Sequence, residues 1–224
     1  MACRGPTASR GAPLLSAVEA EIRLAEQRVA QGALTDRRVM HLMTVPGVGL
    51  ITAVAVTAVI GDITRFPRPT QLVGYLGLDP RVRQSGARPA YTGHISRQGH
   101  AHARALLVEA AHSAIRVPGP LHAFYQRVRA RRGRQIAIVA VARKLAVLAW
   151  HLLIHDADYR WQPASLAAQK RRRVELKAGA PSRRGQQTRS GDRHALTPAE
   201  ERESLQRVEE TYQAFVATRH GEKT

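Results

Sequence analysis

Acidic residues are scarce in this chain. Only 17 Asp and Glu stand against 35 Lys and Arg, a formal net charge of +18 over 224 residues. A two-metal nuclease site needs three or four converging carboxylates. Between 36 and 160 the acids are only Asp36, Asp62, Asp79, Glu109, Asp156 and Asp158, with no acid-bearing strands to gather them. No metal site is therefore expected in this chain. A single cysteine, Cys3, excludes a disulfide framework and a Cys-rich zinc finger. Aromatics make up 4% of residues, too few for base-stacking sheets that read single-stranded RNA. Lysine is rare as well, at positions 144, 170, 177 and 223, so the positive charge is mostly arginine, whose planar fork suits phosphate.

Long uninterrupted apolar runs are also missing. The first fifteen residues lack the apolar stretch of a signal peptide. The greasy segment 45–60 is too short to span a bilayer, and Arg143, Lys144 and His151 interrupt the one at 136–154. Both read as buried core helices. The expectation is a cytoplasmic, nucleoid-associated protein with a polyanionic partner and no membrane association.

What is present reads as all-α: a helical bundle with a helix-hairpin-helix-like element, then a basic flexible tail and a C-terminal helix. Residues 1–12 read as a disordered leader. Leu14, Val18, Ile22, Leu24 and Val29 make 13–35 an amphipathic linker or coiled-coil helix ending near Gly32. A body follows over 36–160, with helices expected near 35–44, 50–60, 71–76, 97–116 (capped by Ser96), 121–131 and 134–155. No strand is convincing, and 77–98 reads as an irregular loop. The segment 161–196 reads as a flexible basic linker. Its stretch 170–193 carries nine Lys or Arg against two acids and cannot bury a core. Thr197-Pro198-Ala199-Glu200 supplies an N-cap, a first-turn proline and a glutamate at the third helical position, which starts a last helix in 197–224.

Two places carry candidate chemistry. Val45-Pro46-Gly47-Val48-Gly49 lies between two helices, and such a turn can present the amides of a helix N-terminus to a DNA phosphate without reading sequence. An ordinary interhelical turn fits the same residues as well; the charge background tips the reading toward phosphate binding by Pro46, Gly47, Val48 and Gly49. On that reading Gly47→Val and Gly49→Val weaken DNA binding while the fold survives. The second place is Arg81, Arg83, Gln84, Ser85, Gly86 and Arg88, followed by His94, Arg97, His100, His102 and Arg104. Eleven arginines and two acids fall between 79 and 134. A serine before glycine on an arginine-rich tip can attack a phosphodiester while guanidinium groups hold the developing charge. Taken alone, the residues fit a turn serine in a phosphate-binding loop better. The histidines here suit phosphate contact better than zinc.

Three blocks in register sharpen the picture. His41-Leu42-Met43-Thr44-Val45-Pro46-Gly47-Val48-Gly49 runs on to Ile60-Gly61-Asp62-Ile63-Thr64-Arg65-Phe66, and Gln71-Leu72-Val73-Gly74-Tyr75-Leu76-Gly77-Leu78-Asp79-Pro80 follows. Then come Gln84-Ser85-Gly86, Gly93-His94-Ile95-Ser96-Arg97-Gln98-Gly99 and Arg104-Ala105-Leu106-Leu107. This order resembles the C-terminal transposase domain of the insertion-sequence one-ten family over about 36–160. The resemblance implies a mobile-element DNA recombinase in which Ser85 attacks DNA and forms a covalent phosphoserine link. The arginine-rich loop itself supplies the DNA-binding candidates Arg81, Arg83, Gly86, Arg88, Arg97 and Arg104. The resemblance further implies Mg²⁺ held by an acidic, RuvC-like N-terminal half, a guide non-coding RNA, and assembly into homo-oligomers. That acidic half has no counterpart here, so the resemblance implies a truncated transposase with no cofactor of its own. The competing reading is a non-catalytic DNA- or RNA-binding module.

Overall fold

The computed structural model describes residues 11–83, 91–181 and 197–221. Among these, α1 (Gly11–Thr35), α2 (Arg37–Met43) and α3 (Leu50–Ile60) lead, followed by a short 3-10 turn at Ile63–Arg65 and α4 (Pro69–Tyr75). An antiparallel pair, β1 (Pro80–Arg83) and β2 (Tyr91–Ile95), comes next. Then come α5 (Ala101–Ala114), α6 (Pro120–Arg132), α7 (Arg134–His155), α8 (Ala164–Lys177) and α9 (Pro198–Gly221). The all-α expectation holds, with the two short strands as its one exception.

Helix α7 is the axis of the body, and α2, α4, α5, α6 and the 3-10 turn pack on it. Its buried face, Ala137, Ile138, Val141, Ala142, Leu145, Ala146, Ala149 and Leu152, recurs at helical spacing. Four of these eight are alanines, and α5 answers with Ala103, Leu107, Ala110, Ala111 and Ala114, so the two backbones approach closely. By length and composition α7 could cross a membrane. Its apolar face is instead the centre of this core. Trp150 fixes the far side by donating its indole N–H to the Phe66 carbonyl at 2.6 Å.

Helix boundaries follow local chemistry. Asp36 caps α2 by accepting from the Arg38 amide at 2.9 Å. Gly133, at φ +82, both ends α6 and starts α7. The Thr197 cap reads as the sequence indicated: its Oγ1 accepts from the Glu200 amide, and the Glu200 carboxylate accepts from the Thr197 amide at 2.7 Å.

Four expectations change. Helix α1 runs through Gly32 to Thr35, because nothing in the packing requires a break there. Helix α5 begins at Ala101 with His100 at its cap position. Ser96 is not a cap, because it directly follows β2, with its amide donating to the Asp79 carbonyl at 2.7 Å, and lies well before the helix begins. The 77–98 region is an ordered hairpin at its base rather than an irregular loop. Within the segment expected to be flexible, 164–177 forms α8, whose Val174 is buried while Arg171, Arg173 and Lys177 are exposed. A single apolar anchor among charges left little trace in the composition.

Candidate functional site

The hairpin is built from its base upward. Val82 pairs with Thr92 and Arg83 with Tyr91, while Pro80 pairs with Ile95 across an irregularity that shifts the register. Beyond the strands the ladder continues as backbone stitches. The Ser96 amide donates to Asp79, the Arg97 amide to the Gly77 carbonyl at 3.3 Å, and the His100 amide to the Tyr75 carbonyl at 3.2 Å. The two chain segments touch backbone to backbone here. A Cβ on Gly77, whose φ is +70, would collide with the Gln98 carbonyl oxygen and lie 2.6 Å from Arg104 Nη1. Only glycine permits both that conformation and that approach. Asp79, next to β1, is tied to α7 by Arg143 at 3.3 Å.

Among the sequence-predicted residues, Arg81 and Arg97 are exposed beside this base. Arg81 donates to the Ser96 carbonyl at 3.1 Å, across the hairpin. Arg97 holds a positive φ of 55, uncommon for a residue with a side chain. Arg104 is partly buried and donates to the Leu76 carbonyl at 3.2 Å, so one of its N–H groups already serves the fold. Arg83 contributes its backbone to the ladder. Ser85, Gly86 and Arg88 lie outside the described residues, as does the rest of 84–90.

The turn at 45–49 is a separate place. It meets α5 at Ala110 and Ala114, whereas the hairpin base meets α5 at His100 and Arg104. Ten residues of helix separate Arg104 from Ala114, roughly 15 Å at the α-helical rise. The turn residues also divide. Pro46 and Val48 are buried. Gly47 has φ +81, and a Cβ there would strike the Ala110 carbonyl and lie 2.6 Å from the Ala114 amide nitrogen. Gly47 therefore serves helix packing, and the expectation that Gly47→Val leaves the fold intact is corrected. Gly49 behaves differently. It is exposed at the N-cap of α3, and a Cβ there meets nothing within 4 Å. No side chain caps α3, and its first backbone bond is that from the Ala53 amide to the Gly49 carbonyl. The amides of Leu50, Ile51 and Thr52 thus lack partners within the helix.

Behind the turn lies a cleft of about 230 Å³, lined in part by Met40, Met43, Asp158, Gln162 and Lys170. Lys170 of α8 donates to the carbonyls of Met43 at 2.9 Å and Val45 at 2.7 Å. Burial pushes its ammonium down to about 8. Beside it, His41 sits between Asp158 (Nδ1, 2.7 Å) and Asp156 (Nε2, 2.9 Å), and Arg37 also reaches Asp156 at 2.8 Å. Sequence reasoning missed Lys170, because within the run 170–173 it is indistinguishable from three arginines that line a charged surface. Among the described residues no group of three or more His, Cys, Asp or Glu side chains could hold a metal ion. The Mg²⁺ implied by the resemblance finds no fitting donor set among them.

The body thus stitches a short hairpin carrying Arg81 and Arg83 to the ends of α4 and α5. A family model described as "Transposase IS116/IS110/IS902 family" matches residues 39–126 of this chain. The chain is similar to a "Probable family 20 transposase" of Pseudomonas aeruginosa, 32% identical over 150 residues, covering 65% of this chain and 44% of the relative. It is also similar to the "Transposase for insertion sequence element IS1111A" of Coxiella burnetii, 33% identical over 139 residues, covering 60% and 38%. A third relative, "Putative transposase y4qE" of Sinorhizobium fredii, is 44% identical over 73 residues, 33% of this chain and 18% of that protein. The chain spans less than half the length of these relatives.

Proposed function

We propose that this chain supplies the serine half of a DNA transposition site, with Ser85, in the sequence between β1 and β2, as nucleophile. The observation that carries the reading is the stitched hairpin base. Its three backbone bonds to Asp79, Gly77 and Tyr75 leave the strands little freedom relative to α5, within a segment that matches the transposase family. A nucleophile gains most from such a base, because positioning converts an encounter into an oriented attack. In the step itself the serine oxygen forms a bond to phosphorus. One deoxyribose oxygen leaves, and the serine proton passes to it. Arg81, Arg97 and Arg88 are assigned to the charge on the phosphate oxygens, with support from Arg83, Gly86 and Arg104.

The turn at 45–49 is assigned a second, sequence-independent phosphate contact through the open N-terminus of α3. Its distance from the hairpin base suits two phosphates of one duplex rather than one shared anion. The described residues offer no metal set, so this reading gives them none of the metal's work; Mg²⁺ and a guide RNA belong to the complementary half. Work on DNA places the protein in the cytoplasm. Helix α1 leaves Leu15, Val18 and Ile22 exposed at heptad spacing, which supports pairing with a second copy. Light scattering of Ile22→Asp should then give a lower mass than the unaltered chain; equal masses would refute the pairing.

The test of the catalytic reading is adduct trapping on a DNA substrate with a nicked leaving strand. The chain is supplied with the acidic half of a longer relative, Mg²⁺ and that relative's RNA. A covalent protein–DNA species is expected with the wild-type chain and not with Ser85→Ala. Salt-sensitive binding with no adduct under the same conditions would favour a non-catalytic binding module.

A further inference from the structure

The C-terminal end of α2 has a backbone accounting problem, since the last carbonyls of a helix lack intrahelical partners. The His41 carbonyl accepts from the Thr44 amide at 3.1 Å and from Thr44 Oγ1 at 2.6 Å, and the Leu42 carbonyl accepts from the Val45 amide at 3.2 Å. The Met43 carbonyl is served by Lys170, from a helix more than a hundred residues away in sequence. The same ammonium takes the Val45 carbonyl, which also accepts the turn-closing bond from the Val48 amide at 3.2 Å. One cation thus holds both sides of the 43–45 step that launches the turn. Lys170 forms no ion pair among the described residues, and its neighbour Asp158 is bonded to His41. A cation at a helix C-terminus is well placed against the helix dipole.

Helix α8 is itself fixed at both ends. Glu201 of α9 accepts from the Ser165 amide at 2.9 Å and from the Ser165 hydroxyl. At the other end Lys177 pairs with Glu26 at 3.0 Å, and Gln31 donates to the Ala178 carbonyl at 3.2 Å. The ammonium is therefore delivered from a braced helix. This helix lies wholly outside residues 39–126.

We infer that Lys170 is a positioning residue for the phosphate-facing turn: by holding the Met43 and Val45 carbonyls, α8 sets the direction in which the α3 N-terminus presents its amides. The inference rests on the proposed role of that turn, and it makes α8 part of the nucleic-acid interface without contact to the nucleic acid. The methionine analogue keeps the bulk of the side chain and loses the donors. The arginine analogue keeps charge and donors, and the adjoining cleft gives its larger head room.

The experiment uses the full chain and a fluorescein-labelled random-sequence DNA duplex, read by anisotropy, together with amide hydrogen exchange. Lys170→Met should weaken binding by about tenfold, as expected for loss of charged hydrogen bonds. Exchange should speed up at the Val45, Val48 and Ala53 amides, which hold the backbone bonds of the turn and of the start of α3, while the α7 core stays protected, and Lys170→Arg should restore both readings. If Lys170→Met does not fold, Lys170→Gln, too short to hold both carbonyls, is expected to give the same pair of changes. Unchanged exchange at Val45, Val48 and Ala53 would overturn the inference. So would a global rise in exchange with no recovery in Lys170→Arg, which marks a merely structural lysine. Gly49→Asp separates the two claims. If it leaves affinity intact, the turn is not a phosphate site, while the exchange data still decide whether Lys170 sets the turn.

Discussion

Gly47 and Gly49 look equivalent in the sequence, and the structure gives them opposite duties. The first is pressed against the α5 backbone at a positive φ; the second faces open space at the start of α3. Gly47→Val combines backbone strain with a clash, and a loss of about 2–4 kcal/mol is expected, measurable as a lower midpoint in urea. Gly49→Asp should leave the midpoint level or raise it, since aspartate caps helices well, yet should repel a phosphate. An unchanged midpoint in Gly47→Val would contradict the packing assignment. Lys170 yields a prediction of another kind. Its folded value, about 8, lies below its ordinary 10.5, so above pH 8 the unfolded chain binds a proton that the folded chain does not. Stability should therefore rise between pH 8 and 10.5, by up to about 3 kcal/mol. Denaturation of Lys170→Met across that window should show the slope removed, and a slope that persists would assign it to other groups.

At the scale of elements, what was legible depended on how the element is stabilised. Helices α3, α6, α7 and α9 were readable because apolar spacing, Gly133 and the Thr197–Glu200 cap are local signals. The β1–β2 pair was not. Its strands have 4 and 5 residues, and its order comes from stitches to Asp79, Gly77 and Tyr75 rather than from alternation along the strands. Helix α8 was hidden for a related reason, since it depends on partners in α1, α2 and α9. Helix α9 shows how such docking is made here. Buried Glu209 accepts from the Gly119 amide at 2.8 Å and pairs with His122 at 2.9 Å, Glu201 caps α8, and Leu205 lies buried between them. Glu209→Ala leaves the Gly119 amide and the His122 ring without that partner. A loss of about 1–3 kcal/mol is expected, with faster exchange at 201–209 ahead of the rest. Protection that is unchanged there would show that α9 docks without this carboxylate.

For the whole molecule, the shortage of acids proved as telling as the excess of arginine. Several of the few carboxylates in the body are engaged by its own cations, such as Asp79 with Arg143 and Asp156 with Arg37 and His41. Among the described residues no group of three or more His, Cys, Asp or Glu side chains could hold a metal ion. The candidate site was legible as motifs in register but not as geometry. Sequence grouped the arginines with Ser85, whereas folding commits Arg104 to the Leu76 carbonyl and sets the 45–49 turn at the other end of α5. The central claim is that Ser85 carries the DNA. Mass spectrometry of the trapped adduct tests it most directly, because trypsin cuts after Arg83 and Arg97 and spares the Arg88–Pro89 bond. The released peptide, 84–97, contains Ser85, Tyr91, Thr92 and Ser96 as competing hydroxyls. The account predicts fragment ions that place the nucleotide mass on Ser85; the same mass on Tyr91, Thr92 or Ser96 would contradict it.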